Sequence, residues 1–97
     1  MIAIGSDHAG FYLKEEIKRH LEDRGVEYKD FGTYSNERAN YAEYGEKVAR
    51  AVAGGECEMG ILVCGTGIGI SIAANKVKGI RAVACSDCYS AKMSRRH

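Results

Sequence analysis

The chain alternates short apolar runs with amphipathic stretches, and this alternation predicts its secondary structure. The apolar runs are rich in β-branched residues and predict four strands, over residues 2–5, 26–31, 60–63 and 80–85. Between the first two runs, Leu13, Ile17 and Leu21 recur every four residues. This spacing places one apolar stripe on a helix over residues 11–24, which Gly25 ends.

Three further helices follow from the same pattern. The second carries a stripe formed by Tyr41, Tyr44, Val48 and Val52. The third follows a glycine-rich loop and extends to about residue 77. The fourth begins after Ser86 or Asp87, either of which can cap it, and turns Tyr89 and Met93 inward. The polar segment 33–40 has no periodicity and predicts a loop.

Strands that alternate with helices predict an α/β fold, here a single domain over residues 1–97. We expect a three-layer, Rossmann-like parallel sheet with helices on both faces. Ligands of such sheets bind beyond the carboxyl ends of the strands. Asp7 and His8 follow the first strand, and Cys64 follows the third. The pair Asp7 and His8 and the loop that begins at Cys64 are therefore expected at one edge of the sheet.

Composition narrows the class of protein. The chain has 97 residues, a formal net charge of +1 and no apolar run near the ~20 residues of a membrane span, so neither nucleic acid nor membrane is an expected partner. A strand-like segment opens the chain, from which we expect no signal peptide and a cytoplasmic protein. The four cysteines are then expected as reduced thiols. A chain this small also favours a homo-oligomer.

The loop after the third strand carries glycines at positions 65, 67 and 69 and leads into a helix. Glycines let the backbone approach a ligand closely, and the first turn of a helix offers unpaired N–H groups, so the loop predicts an anion site. It is not a dinucleotide fingerprint, because Ile70 stands where glycine or alanine is needed, and no Walker lysine follows. A tight strand-to-helix turn without a ligand remains the structural alternative.

Cys64 is the strongest candidate for chemistry. A thiol that faces a helix N-terminus is stabilised as a thiolate and can serve as nucleophile or base; a buried, inert cysteine is the alternative. Asp7 and His8 are positioned to contact a ligand, or else Asp7 caps the first helix and His8 is solvated.

Cys85 and Cys88 have C-x-x-C spacing, but without a second pair they do not favour a metal or redox site. Cys57 is expected in a surface loop.

Four blocks of sequence together resemble one known family. They are Gly5-Ser6-Asp7-His8-Ala9-Gly10, Asp30-Phe31-Gly32-Thr33, Cys64-Gly65-Thr66-Gly67-Ile68-Gly69-Ile70-Ser71-Ile72-Ala73-Ala74-Asn75-Lys76 and Gly79-Ile80-Arg81-Ala82. The family is ribose-5-phosphate isomerase type B, which includes galactose-6-phosphate and allose-6-phosphate isomerases. The resemblance implies interconversion of ribose 5-phosphate and ribulose 5-phosphate through a cis-enediolate, without metal or cofactor.

The resemblance also implies roles for individual residues. Cys64 would move the proton between C1 and C2, Thr66 would assist proton transfer to oxygen, and His97 would assist ring opening. The remaining positions would bind substrate: Asp7, His8, Tyr41, Gly65, Gly67, Ile68, Gly69 and Ser71.

The chain departs from the family in two places. Asn40-Tyr41-Ala42 replaces the usual Asp-Tyr-Pro before the second helix. Family members also continue past the position of His97 with a further strand and helices, whose arginines bind phosphate partly across a dimer interface. We therefore expect a C-terminally truncated isomerase that forms a dimer or tetramer. The alternatives are a non-catalytic sugar-phosphate-binding fragment and an isomerase of a six-carbon sugar phosphate.

Overall fold

A three-stranded parallel sheet forms the centre of the molecule. The computed structural model describes residues 1–97, and its elements are β1 (Ile2–Ser6), α1 (Phe11–Asp23), β2 (Tyr28–Asp30), α2 (Tyr41–Ala53), β3 (Met59–Val63), α3 (Ile68–Asn75) and α4 (Cys88–Ser94). The strand order is β2-β1-β3. Strand β1 pairs in parallel with both neighbours, so that Ile4 lies beside Asp30 on one side and Ile61 on the other.

Helices cover both faces of this sheet. On one face, Val48 of α2 lies directly over two strand glycines: a Cβ on Gly5 or Gly60 would come within 2.8 or 2.7 Å of its methyl groups. On the other face, Lys14 of α1 reaches Asp30 of β2. Helix α3 packs on α2 at Gly45, where a Cβ would come within 3.1 Å of Ile70. The predicted layered α/β architecture is confirmed.

The core lies between α2 and the sheet and contains Ala3, Val48, Ala51 and Cys57. Cys57 is only 2% exposed, so its predicted place in a surface loop is wrong. Its backbone N–H donates to Ala51 O at 3.1 Å, which folds the segment after α2 back under the helix. The apolar thiol is buried by this turn.

The apolar stripe predicted on α1 is wrong at its first position. Leu13 is 53% exposed, whereas the neighbouring Lys14 is completely buried. The ion pair that Lys14 forms with Asp30 selects this rotation of the helix, which the spacing of apolar residues alone does not reveal. The predicted end of α1 is confirmed, because Gly25 follows the helix with φ of +68°.

The fourth predicted strand does not form. Residues 80–85 are irregular and pair with no strand, and Val83 is 61% exposed. Instead, the Asn75 side chain binds both backbone groups of Ala82: its Oδ1 accepts from Ala82 N and its Nδ2 donates to Ala82 O, each at 2.8 Å. A groove of about 370 Å³ separates this segment from β3. The outer edge of β3 is unpaired, but the segment lies across this groove from it and forms no ladder of backbone hydrogen bonds.

Helix α4 begins at a cap that the sequence indicates. Asp87 is the N-cap, and its Oδ1 accepts from Ser90 N at 2.7 Å, which decides between the two candidate caps. Tyr89 is 72% exposed, so its predicted inward position is wrong. No helix of the chain has the length and apolar character that crossing a membrane requires.

Candidate active site

The two predicted polar groups meet where β1 and β3 end. These strands are paired so that Ser6 lies beside Val63, and the next residues are Asp7 and Cys64. The backbone N–H of Asp7 donates to Val63 O at 3.3 Å. The turn after β1 and the loop after β3 therefore begin side by side.

Gly10 holds the turn after β1 tightly against β3. A Cβ at this position would lie 2.4 Å from Val63 O, a distance that no real side chain occupies. The N–H of Gly10 donates to Asp7 Oδ1 at 3.0 Å, which closes a turn just before α1. Asp7 thus stabilises the start of α1 through Gly10, the N-cap residue, while being 7% exposed.

Cys64 lies at the N-terminus of α3, as its sequence position predicts. Its Sγ accepts a hydrogen bond from the N–H of Gly67 at 3.0 Å, and the residue is half-buried. Gly67 is the N-cap of α3 and has φ of +81°, a conformation that favours glycine. The thiol sulfur is therefore held by a backbone donor at the N-terminal end of α3.

Other N–H groups around Cys64 remain without protein acceptors. The N–H groups of Gly65 and Thr66 donate to no backbone or side-chain oxygen. Gly69 is the second residue of α3, and an N–H at this position has no acceptor within the helix. The Ile68 N–H is occupied by Thr66 Oγ1 at 3.2 Å. The loop thus presents several free donors beside one thiol, which is the arrangement that a developing oxyanion requires.

Ser71 lies one helical turn beyond Gly67. Its Oγ donates to Ile68 O at 2.8 Å, and its N–H donates to Gly67 O at 3.1 Å. The hydroxyl thereby closes the first turn of α3, and its oxygen still has acceptor capacity.

The loop over residues 33–40 holds His8. Nδ1 of His8 lies 3.1 Å from Ala39 N and 3.2 Å from Ala39 O. In the tautomer that carries its proton on Nε2, Nδ1 accepts from the Ala39 N–H and Nε2 is a free donor. Ala39 is a contact that sequence reasoning missed, because a backbone partner from an irregular loop leaves no pattern in the sequence.

Tyr41 reaches the site from the start of α2. A Cβ on Gly69 would lie 3.1 Å from its ring, so the ring rests directly on the first turn of α3. Tyr41 is 45% exposed, and with Gly69 it lines a cleft of about 280 Å³ between α2 and α3. Tyr41 therefore lies at the exposed end of the stripe predicted on α2.

His97 is the predicted site residue that the structure does not join to the others. It is exposed, its backbone oxygen accepts from Arg81 at 3.3 Å, and no hydrogen bond links its ring to the loop around Cys64. Cys85 and Cys88 are exposed free thiols. No three His, Cys, Asp or Glu side chains lie close enough together to hold a metal ion.

The chain matches known enzymes over almost all of its residues. The family model described as Ribose/Galactose Isomerase matches residues 2–97.

The chain belongs to the ribose/galactose isomerase family.

Individual members of this family are closely similar to the chain. Ribose-5-phosphate isomerase B of Escherichia coli (strain K12) is 64% identical over 96 residues, which are 99% of this chain and 64% of that protein. Galactose-6-phosphate isomerase subunit LacB of Clostridium acetobutylicum is 41% identical over 97 residues, which are 100% of this chain and 56% of that protein. The chain therefore spans less than two thirds of the length of these relatives.

Solved structures give the same result. The structure of Clostridium thermocellum Ribose-5-Phosphate Isomerase B matches with a TM-score of 0.97 at 59% identity, over 99% of this chain and 65% of that one. The family indicated by the four sequence blocks is thus confirmed, and so is the fold that it implies.

Proposed function

We propose that the chain carries the proton-transfer site of an aldose–ketose isomerase that interconverts ribose 5-phosphate and ribulose 5-phosphate. The observation that carries this proposal is the position of Cys64, whose Sγ accepts from Gly67 N–H at 3.0 Å beside the free N–H groups of Gly65 and Thr66. Relatives named ribose-5-phosphate isomerase B support the choice of substrate.

The proposed reaction moves one proton along the open-chain sugar. The Cys64 thiolate removes the proton from C2 of the aldose, and the electron pair moves to the carbonyl oxygen at C1. The free N–H groups of the loop from Gly65 to Gly69 stabilise the resulting enediolate, and such a donor is commonly worth about 3 kcal/mol. Thr66 assists the proton exchange between O2 and O1. Return of the proton from Cys64 to C1 gives the ketose, with no metal or cofactor needed.

The remaining residues orient the substrate in this proposal. Asp7 and His8 contact sugar hydroxyls and the phosphate, and Tyr41 lines the pocket. Ser71 and Ile68 complete the first turn of α3 behind the enediolate. His97 assists ring opening. Its side chain is exposed and has to approach the loop around Cys64 for this role.

Substitution of Cys64 tests the proposal directly. We expect Cys64→Ala to lower kcat for ribose 5-phosphate by about 10²–10⁴-fold, the usual effect of removing a general base. Cys85→Ser is the matched control, since it removes an exposed thiol outside the loop. Turnover is followed by ketose formation, and proton transfer by NMR detection of exchange at C2 in deuterated water. Unchanged exchange in Cys64→Ala contradicts the role of Cys64 as base.

One alternative has specific support, and a second is distinguished by experiment. The match to a galactose-6-phosphate isomerase subunit favours a six-carbon substrate as the second candidate. The same variants assayed with galactose 6-phosphate decide between the two sugars. A non-catalytic sugar-phosphate-binding role predicts binding by calorimetry with no exchange at C2 in the unsubstituted chain.

We further propose that the protein works as a cytoplasmic homo-oligomer, a dimer or a tetramer. Support comes from exposed apolar side chains on α3 next to the site: Ile68 is 57% and Ile72 is 55% exposed. A surface of this kind is typical of one that is covered by a partner.

A further inference from the structure

Lys14 of α1 is completely buried although it carries a charge. Its side chain is 0% exposed, and its Nζ lies 2.5 Å from Asp30 Oδ2 and 3.4 Å from Glu15 Oε2. The rings of Phe11 and Tyr34 lie 5.5 and 5.8 Å from the same nitrogen. A buried ion pair is seldom more stabilising than apolar side chains of similar size. Net stability alone therefore does not explain this arrangement.

Asp30 divides its two oxygens between α1 and the backbone. Oδ2 accepts from Lys14 and, at 2.9 Å, from Lys18, whereas Oδ1 accepts from the Gly32 N–H at 2.8 Å. Burial alone would raise the pKa of the Asp30 carboxyl, but hydrogen bonds from Lys14, Lys18 and Gly32 outweigh burial and lower it. The carboxylate is thus ionised and held in one orientation.

Backbone hydrogen bonds continue from Gly32 to the end of β1. Gly32 O accepts from Ser6 N at 2.7 Å, and Thr33 N donates to Ser6 O at 2.8 Å. The Ser6 hydroxyl is buried without any partner, so the backbone is what holds this residue. Ser6 is followed directly by Asp7 and His8. Continuous hydrogen bonds therefore link the Asp30 carboxylate to the residue before this turn.

We propose that Lys14 and Asp30 are positioning residues, which set the placement of Asp7 and His8 through the backbone bonds of Gly32 with β1. The proposal rests on the proposed function in one respect, namely that Asp7 and His8 bind substrate. Neither Lys14 nor Asp30 touches the substrate itself. The ion pair fixes the position of the turn, whereas an apolar pair would stabilise the fold without fixing that position.

Three variants separate positioning from stability. Lys14→Met removes the charge at similar length, and Asp30→Asn removes the charge while leaving an acceptor for Gly32 N–H. The double variant Lys14→Met/Asp30→Leu replaces the pair by apolar side chains, for which we expect recovered thermal stability. Lys29→Met is the matched control, because Lys29 also forms an ion pair on β2, at 2.8 Å from Glu56, but about half exposed.

Two measurements are made on each variant of the full chain. NMR of the His8 ring and the Asp7 amide reports the turn without substrate, and kcat and KM for ribose 5-phosphate report its use. In the double variant we expect shifted His8 and Asp7 resonances, a recovered melting temperature and a kcat/KM about 10- to 100-fold lower, mostly through KM. Lys29→Met is expected to match the unsubstituted chain in both measurements.

The outcomes distinguish the two proposals. If the double variant shows unchanged His8 and Asp7 resonances, or recovers kcat/KM together with stability, the ion pair serves folding only and the positioning role is overturned. If the unsubstituted chain does not turn over ribose 5-phosphate, the proposed function fails, whereas the NMR comparison still decides the placement of the turn. Shifted His8 and Asp7 resonances in the single variant Asp30→Asn support the role of the charge.

Discussion

Gly10 allows the two halves of the candidate site to approach each other, since its missing side chain is where Val63 O lies. We expect Gly10→Ala to lower the free energy of unfolding by about 1–3 kcal/mol, the usual effect of forcing an extra methyl group into a packed site. It should also reduce turnover, because the turn after β1 is pushed away from Cys64. Urea denaturation and the isomerase assay measure the two effects.

Gly25→Ala is the control for this prediction. A Cβ at Gly25 meets no atom within 4 Å, but its φ of +68° disfavours alanine by about 1–2 kcal/mol. The control is therefore expected to lose stability and keep turnover. Equal turnover in both variants contradicts the close approach at Gly10 as a requirement of the site.

Single residues also show where prediction from sequence stops. Cys64 and its glycines could be predicted because a strand, a glycine loop and a helix follow one another along the chain. The burial of Lys14 could not, because its partner Asp30 is 16 residues away and charge disfavours burial when no partner is known. For the same reason the backbone contact between Ala39 and His8, 31 residues apart, had no signal.

At the scale of elements, Asn40 fixes the start of α2 and with it the position of Tyr41. Its side-chain oxygen accepts from Ala42 N at 2.9 Å. We expect Asn40→Ala to lower the free energy of unfolding by about 1 kcal/mol, whereas Asn40→Asp keeps the cap. Asn36→Ala, which removes an exposed amide bonded to Tyr12, should change it by less than about 0.5 kcal/mol. Thermal or urea unfolding that ranks Asn36→Ala as more damaging would refute the capping role.

The contact between α1 and β2 gives the fold a dependence on pH. The folded pKa of Asp30 is lowered, chiefly because hydrogen bonds from Lys14 and Lys18 overcome the effect of burial. Its contribution to stability is therefore present above the unfolded pKa of about 3.9 and is lost as pH falls through the lower, folded value. We expect the stability difference between the unsubstituted chain and Asp30→Asn to shrink between pH 5 and pH 3. A constant difference in urea unfolding across this range would contradict the pKa shift.

Elements were predictable to the extent that they depend on local sequence. The three strands that formed, and the helices between them, follow from short apolar runs, regular spacing and capping residues. The failed strand over residues 80–85 has a suitable composition, but Asn75 binds the backbone of Ala82, and a groove separates the segment from the free edge of β3. Pairing is a property of the whole sheet, which no single segment encodes.

At the scale of the whole molecule, the layers place α1 and α3 on opposite faces of the sheet, and each exposes apolar side chains. On α3, Ile68 and Ile72 adjoin the cleft lined by Tyr41, so that they form one continuous surface beside the site. On α1, Leu13 is similarly exposed, at 53%, on the far side of the sheet. A homo-oligomer that uses the surface beside the site would bring a second copy close to the substrate.

This placement gives a matched pair of substitutions for the proposed oligomer. We expect Ile72→Lys to raise the dissociation constant of the oligomer by at least about 10-fold, because a lysine at a covered position must be desolvated without a partner. Leu13→Lys, the same kind of change on the opposite face, should leave it unaltered. Sedimentation or light scattering across a concentration series measures both. Equal dissociation constants for the two variants would contradict the proposal that α3 is part of the interface. A monomer at all concentrations would contradict the oligomer itself.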